Sequence, residues 1–600
     1  MKNILSLIFV LVCLVFYSTI FGQVPLLQNV SARKIISLDG VWDSQVDVIG
    51  VGSLARFGLV QDRKPTKFVY NGDNPRNTEL VEQDMDVAEK INVPGDWNTQ
   101  KEKLFLYEGN LWYRKKFSIT PKPDKRYFIY FGAVNYEATV YLNGVKIGQH
   151  KGGFTPFQFE ITKELQNGEN KLLVNANNTR GEDNIPTKIA DWWNYGGITR
   201  SVSLIEVSET HVSDYFIQLE KGKLSEIKGW LKVSGAQKAQ SVNVEIPELG
   251  LKQTVQTDTA GYADINLSST KIQHWSPENP KMYEVIISSS NDHVKDKIGF
   301  RTIETRGTEI LLNGKQIFLK GAAIHEEAPY RTGRCYSDGD ARTLLTWAKE
   351  LGSNYVRLAH YPHNEAMTRL ADEMGLLVWS EIPVYWNVKF EKPEVYINAE
   401  RQLLENISRD KNRASVILWS IANETNESEP RLVFLKKLLE KTKAVDPTRL
   451  TTAALLAKEG KSEYSIEDPL GEFVDVMGCN EYIGWYTLPA ELAPTIKWTS
   501  KYNKPLIMSE FGAEAVAGLR GSPNEIWTEE YQNRIFENQV KMLNNIPFLR
   551  GASVWTLMDF RSPLRLLPIK QDFFNRKGLI SDTGIKKMAF YTLKKWYQSK

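Results

Sequence analysis

Two apolar runs in the second half of the chain each end in a glutamate. Val416-Ile-Leu-Trp-Ser-Ile-Ala-Asn-Glu424 closes on Asn423-Glu424, and Pro505-Leu-Ile-Met-Ser-Glu510 closes on Glu510 ahead of Phe511-Gly512. Either glutamate alone reads as a charged residue ending a strand at its solvent edge. Two strands delivering carboxyls to one rim suit glycosidic-bond cleavage better: one carboxyl protonates the departing oxygen, the other attacks the anomeric carbon or activates water. Arg357 and His360 close a third run, Asn480 and Tyr482 a fourth. A guanidinium beside Glu510 is expected to keep it ionised, as a nucleophile requires. Asn423 is expected to hold a sugar hydroxyl. Trp555 floors the sugar or simply fills the barrel core.

The elements that must position these groups alternate strand and helix from residue 306 onward. Strands are expected at 317–325, 355–360, 376–382, 416–424, 450–455, 476–482, 505–510 and 551–558, and helical spacing of Leu344, Leu345, Ala348 and Leu351 ends at Gly352. Eight such units predict a (β/α)₈ barrel, whose active groups stand at the C-terminal strand ends. Before it the rhythm is β. Segments 126–131, 138–142 and 171–176 are short and β-branched or aromatic, with Asn143-Gly144 marking a hairpin. A second strand series (215–219, 227–233, 241–246, 263–267, 283–288) predicts a smaller sandwich. The expected organisation is a leader at 1–22, a sandwich at 23–205, a second sandwich at 206–303 and the barrel at 304–600.

Composition narrows the function classes. The 75 Lys and Arg nearly balance the 72 Asp and Glu, a charge too small for nucleic acid to be the main partner. The 16 Trp, with 25 Tyr and 25 Phe, are a weak pointer to sugar stacking. Lys2 and an apolar run to Phe21 predict a secretory signal peptide, an uncleaved anchor being the alternative. Cleavage would leave Cys335 and Cys479, too few for a disulfide framework. An exported protein follows, periplasmic first, secreted or surface-held second, with no membrane contact after cleavage and a homo-oligomer open. No His-Glu-x-x-His, Gly-x-Ser-x-Gly or phosphate-cradling glycine loop occurs, and no cofactor is expected. Asp338 and Asp340 read as helix N-caps rather than a metal loop.

Arg357-Leu-Ala-His-Tyr-Pro362, Trp419-Ser-Ile-Ala-Asn-Glu424 and Ser509-Glu-Phe-Gly512 together resemble glycoside hydrolase family 2. The resemblance implies a jelly-roll, immunoglobulin-like sandwich and barrel in that order, with Glu424 as acid/base and Glu510 as nucleophile of a retaining double displacement. Within the family the chain is most similar to the β-glucuronidases. Asn575-Arg576-Lys577-Gly578 resembles their Asn-x-Lys element, implying that Asn575 and Lys577 grip a C6 carboxylate. Asp191-Trp-Trp-Asn-Tyr-Gly-Gly-Ile198 resembles the first-domain loop whose aspartate enters the barrel site, placing Trp192 and Trp193 near the sugar. Asn480-Glu-Tyr-Ile-Gly-Trp-Tyr486 resembles a loop with two substrate-facing tyrosines, Tyr482 and Tyr486, and brings Trp485 along.

The implied activity is an exo-hydrolase removing terminal β-linked glucuronic acid from a glycan. A β-galacturonidase or β-galactosidase, and a non-catalytic sugar-binding protein, are the alternatives. Lys577 is expected to reject a neutral hexose because its own charge would be left unpaired, unless it is only a solvated turn residue. Three departures stand out. Thr425 replaces a common proline, which is expected to alter only the local turn. Gln571 stands where some relatives carry an arginine, leaving Lys577 with less cationic help. The segment 383–403 is short, without a long lid, which suits an oligosaccharide better than a small conjugate.

Overall fold

The computed structural model describes residues 25–50 and 85–600; the leader expected at 1–22 lies outside them. A four-stranded and a six-stranded antiparallel sheet form the first sandwich, with Lys125–Phe131 in one and Glu137–Leu142 beside Gly168–Asn177 in the other. Asn143 and Gly144 both take positive φ, 51° and 84°, at the hairpin joining Glu137–Leu142 to Val145–Lys151. Two positive values are what a two-residue turn needs to match strand twist. The second sandwich packs a three-stranded sheet on a four-stranded one. It includes Leu251–Gln256 and His293–Ile298, strands whose alternating polar faces hid them in the sequence.

Eight parallel strands then close a barrel: Leu319–Ile324, Tyr355–Leu358, Leu377–Glu381, Val416–Asn423, Leu450–Leu455, Val476–Asn480, Leu506–Glu510 and Leu549–Val554. Each overlaps an expected strand. Their continuous apolar runs are buried on both sides, by the barrel core and by the ring of helices. The helix Asp338–Leu351 starts differently from expectation. Ser337 is its N-cap, and Asp340 completes a capping box instead of capping, because the hydroxyl one turn earlier already accepts from the Asp340 N–H.

The first sandwich is bolted to the barrel rim. Arg200 pairs with Glu326 at 3.0 Å, His150 Nε2 lies 3.1 Å from Glu405, and the Tyr195 hydroxyl donates to Glu327 at 2.5 Å. The Trp193 N–H donates to the Arg561 carbonyl at 2.9 Å. Phe154, Ala190 and Trp192 of the sandwich share an apolar cluster with Tyr361, Tyr385 and Trp555 of the barrel. Buried charges paired across an interface are costly to separate, so the 178–198 loop is held in one place over the barrel mouth.

Candidate active site

Glu510 ends the seventh strand and Asn480, its cross-strand partner, the sixth. Arg357 rises from the second strand, fully buried, and forks between two carboxylates. It donates to Glu510 Oε1 at 2.8 Å, and its second nitrogen lies 3.0 Å from Glu381 Oε1. The same guanidinium donates to Asn423 Oδ1 at 2.7 Å, and Asn423 Nδ2 donates to Glu424 Oε2 at 3.3 Å. One hydrogen-bonded chain thus links the two glutamates. Asn480 donates to Asn423 Oδ1 at 3.2 Å and accepts from Ser509, so it aligns Asn423. His360 Nδ1 sits 3.1 Å from Glu381, and its other nitrogen 3.7 Å from Glu510. Burial lowers the His360 pKa and favours its neutral form.

Tyr482 lies nearer the chemistry than a mere sugar contact: its hydroxyl donates to Glu510 Oε2 at 2.6 Å. Trp555 is almost covered, stacked 4.7 Å from His360 and edge-on to His325, so it floors the site from below. Trp192 lies on the same floor against Tyr385. Trp193 does not join them; it packs on Phe105 and Phe573 at the domain junction.

The expectation that Arg357 keeps Glu510 ionised needs correction. Burial, with the Glu424 charge adding to it, pushes Glu510 up to about 8 despite the pull of Arg357 and Tyr482. Burial is the larger effect; Glu381 shares the same guanidinium and, with His360 also beside it, is held down at about 2. A dry carboxyl with half a cation is easily protonated. The kcat/KM profile of the parent is therefore expected to carry an ionisation near pH 8 belonging to the carboxyl pair. Glu424→Gln removes the charge that adds to burial in raising Glu510. Its profile on a dinitrophenyl glycoside, whose departure needs no acid, is expected to shift that ionisation to lower pH. An unmoved limb would mean the two carboxyls do not interact.

At the other end of the site four charges interlock. Lys577 Nζ donates to Glu514 Oε1 at 3.1 Å and to the Tyr486 hydroxyl at 2.7 Å. Arg565 pairs with both oxygens of Asp191 and donates to the same Tyr486 hydroxyl at 3.2 Å. Asp191 has crossed from the sandwich and also accepts from Ser562 and from Asn575 Nδ2. Asn575 is fully buried and donates to Asp191, beside Lys577 as the motif implies. A Cβ at Gly578 would lie 2.1 Å from the Asp559 backbone nitrogen, which explains the glycine closing this motif.

Two sequence expectations change here. Lys577 is not an unpaired cation, since Glu514 neutralises it with both side chains buried. Nor does it lack cationic help: Arg565 occupies the neighbouring space, while Gln571 donates to Glu514 Oε2 at 3.1 Å. Glu514, Arg565, Glu381, Ser509 and Trp386 were all missed. Glu381 at the end of the strand expected at 376–382, Ser509 beside Glu510, and Glu514 four residues beyond Glu510 each carried a positional signal. Thr425 also does more than shape a turn; its hydroxyl accepts from Arg431, which pairs with buried Asp468.

Residues 303–599 match the glycosyl hydrolases family 2 TIM barrel domain, 66–208 its sugar binding domain, and 210–301 a further family 2 domain. The chain belongs to glycosyl hydrolase family 2. It is a glycoside hydrolase, and the family's retaining double displacement applies to it. Among this family 2 chain's curated relatives, a β-glucuronidase of Streptococcus agalactiae is 28% identical over 566 residues, covering 84% of this chain and 92% of the relative. The Homo sapiens β-glucuronidase is 27% identical over 614 residues, covering 92% and 89%. A solved β-glucuronidase from Ruminococcus gnavus in complex with D-glucuronic acid superposes with a TM-score of 0.79 at 25% identity, covering 96% of this chain and all of that one. A β-galacturonidase from Eisenbergiella tayi bound to galacturonate gives 0.78 at 25% identity, covering 95% and 98%.

Proposed function

We propose that this family 2 hydrolase releases terminal β-linked glucuronic acid from oligosaccharides. The observation that carries the uronate reading is the hydroxyl of Tyr486. It accepts from both Lys577 and Arg565, so its own hydrogen is free to donate away from them. Lys577 keeps one N–H beyond its two bonds. Together with the unused Arg565 N–H groups, these donors supply the planar, charge-assisted hydrogen bonding that a carboxylate takes. Asp191, its oxygens taken up by Arg565, Ser562 and Asn575, holds Arg565 in place beside them.

The reactive form carries the pair's single proton on Glu424: in the first step the Glu510 carboxylate attacks the anomeric carbon, the glycosidic C–O bond breaks, and Glu424 gives that proton to the departing oxygen. In the second, water attacks the same carbon and gives a proton to Glu424 while the bond to Glu510 breaks. Glu510 is buried and Glu424 half-buried, which suits a dry nucleophile and an acid that must exchange with water. Arg357 and Tyr482 hold Glu510 in line. The short passage from the third strand into the helix Pro393–Asp410 supports a longer glycan as substrate. The leader motif supports export, to the periplasm first.

The galacturonidase similarity supplies the second reading, and both are tested by one panel. Release of nitrophenol from the β-glucuronide is expected to exceed that from the β-galacturonide and to exceed the β-galactoside by ~10³-fold or more in kcat/KM. Preference for the neutral galactoside would overturn the uronate reading. Cleavage of uronic-acid oligosaccharides then checks the natural substrate class.

A further inference from the structure

Trp386 lies in the loop after the third strand, outside every motif singled out above. Its indole N–H donates to Glu424 Oε2 at 2.8 Å. Asn423 Nδ2 reaches the same oxygen at 3.3 Å, and among the described residues no donor reaches Oε1. An indole N–H and an amide N–H donate only, so Oε2 is committed as an acceptor. A proton on Oε2 would point at one of these two hydrogens. The acid form of Glu424 must therefore carry its proton on Oε1.

The placement is built, not incidental. Trp386 adopts φ 54° and Glu424 φ 49°, both left-handed, in residues with bulky side chains. Such backbones persist where the surroundings over-determine them. Here the Trp386 N–H donates to the Asn423 carbonyl at 3.1 Å, Asn423 returns a bond to Val384 at 2.9 Å, and the Glu424 N–H donates to Ala454 at 2.9 Å. Tyr385 pairs with Asn423 as an isolated bridge. One face of the indole packs on Tyr385 with centroids 4.3 Å apart, and Tyr385 in turn abuts Trp192 and His360. The third-strand loop and the end of the fourth strand thus hold indole and carboxyl in mutual register.

We propose that Trp386 is a positioning residue for the acid/base: by occupying Oε2 it directs the transferable proton to Oε1, the oxygen left free to give it to the leaving group. In the first half-reaction that proton passes from Oε1 to the glycosidic oxygen as the C–O bond breaks and the bond to Glu510 forms. In the second, Oε1 takes the proton of the attacking water as that bond breaks. This rests on the reading of Glu424 as acid/base.

The test compares kcat/KM, which reports the first half-reaction, for aryl glycosides of whichever sugar the panel selects. One substrate carries a dinitrophenyl leaving group, which departs without a proton; the other carries methylphenyl, which needs one. Trp386→Phe keeps a ring and loses the donor. It is expected to lower the methylphenyl value ~10–100-fold and the dinitrophenyl value less than ~3-fold, a part of the range acid catalysis supplies. The ratio of the two substrates in one preparation does not depend on how much of the variant folds. Equal losses on both substrates, no loss on either, or no activity even with dinitrophenyl would overturn the proposal. Glu424→Gln separates the two readings. If it shows no leaving-group discrimination, the acid/base reading fails; if it does and Trp386→Phe does not, only the positioning role fails. In the Glu424→Gln background, adding Trp386→Phe is expected to change the ratio less than ~2-fold.

Discussion

Replacing Glu510 by glutamine is expected to abolish turnover of every glycoside the parent cleaves, a loss of ~10⁴-fold or more in kcat, the scale of removing a nucleophile. Sugar binding is expected to survive, because Arg357 keeps Glu381, and the Lys577 and Asp191 groups are untouched. The same substitution has a stability signature with a definite sign. Glu510 in the fold ionises at about 8, above its ordinary value of 4.5, so the native state holds its proton more tightly than the unfolded chain does. Below the ordinary value both states are protonated and the group contributes nothing. As pH rises from there through about 8, ionisation becomes progressively more costly to the fold. The glutamine variant is accordingly expected to unfold at a higher temperature than the parent at pH 9, with the difference vanishing near pH 4. Residual activity above a few percent would contradict the nucleophile role, and a stability gain larger in acid than in alkali would contradict the cause given for its pKa. A functional site that strains its own fold is a familiar compromise.

Lys577→Ala is expected to cut kcat/KM for the uronide ~10²–10³-fold while leaving a neutral glycoside within a few-fold, so that the ratio collapses. The variant has a second consequence, because Glu514 would remain buried beside an empty space. Removing one partner of a buried pair typically costs about 3–5 kcal/mol, so this single variant is expected to be thermally weakened too. The double variant Lys577→Met with Glu514→Gln removes both charges together. It is expected to recover much of the lost thermal stability but none of the uronide preference. Measuring the uronide-to-galactoside ratio for both variants separates recognition from folding. A ratio that stays at the parental value in both would remove Lys577 from substrate recognition and leave Arg565 and Tyr486 to carry it.

Much of the architecture was legible because its signals are local. A buried parallel strand must be apolar on both faces, so eight such runs stood out with their terminal residues attached, and Glu424, Glu510, Arg357 and Asn480 came with them. Asn143-Gly144 marked its hairpin because few other pairs tolerate two positive φ values. Trp386 had no such mark. Its role comes from a loop bent to bring an indole edge to a carboxyl on the next strand, and a tryptophan in a loop looks the same wherever its edge points.

The sequence by itself determined the three-part organisation, the two carboxyls and the motifs that carry the family likeness, since each depends on residue type and short-range spacing. Only the tertiary structure decided how charge is shared. Whether Arg357 serves Glu510 alone or divides itself with Glu381, and whether Lys577 stands unpaired or neutralised by Glu514, depends on distances between strands far apart in the chain. Coulomb and desolvation energies change steeply over a few ångströms in a dry site. The pKa of the nucleophile and the electrostatics of the uronate end are therefore properties of the folded chain that the linear order of residues does not carry.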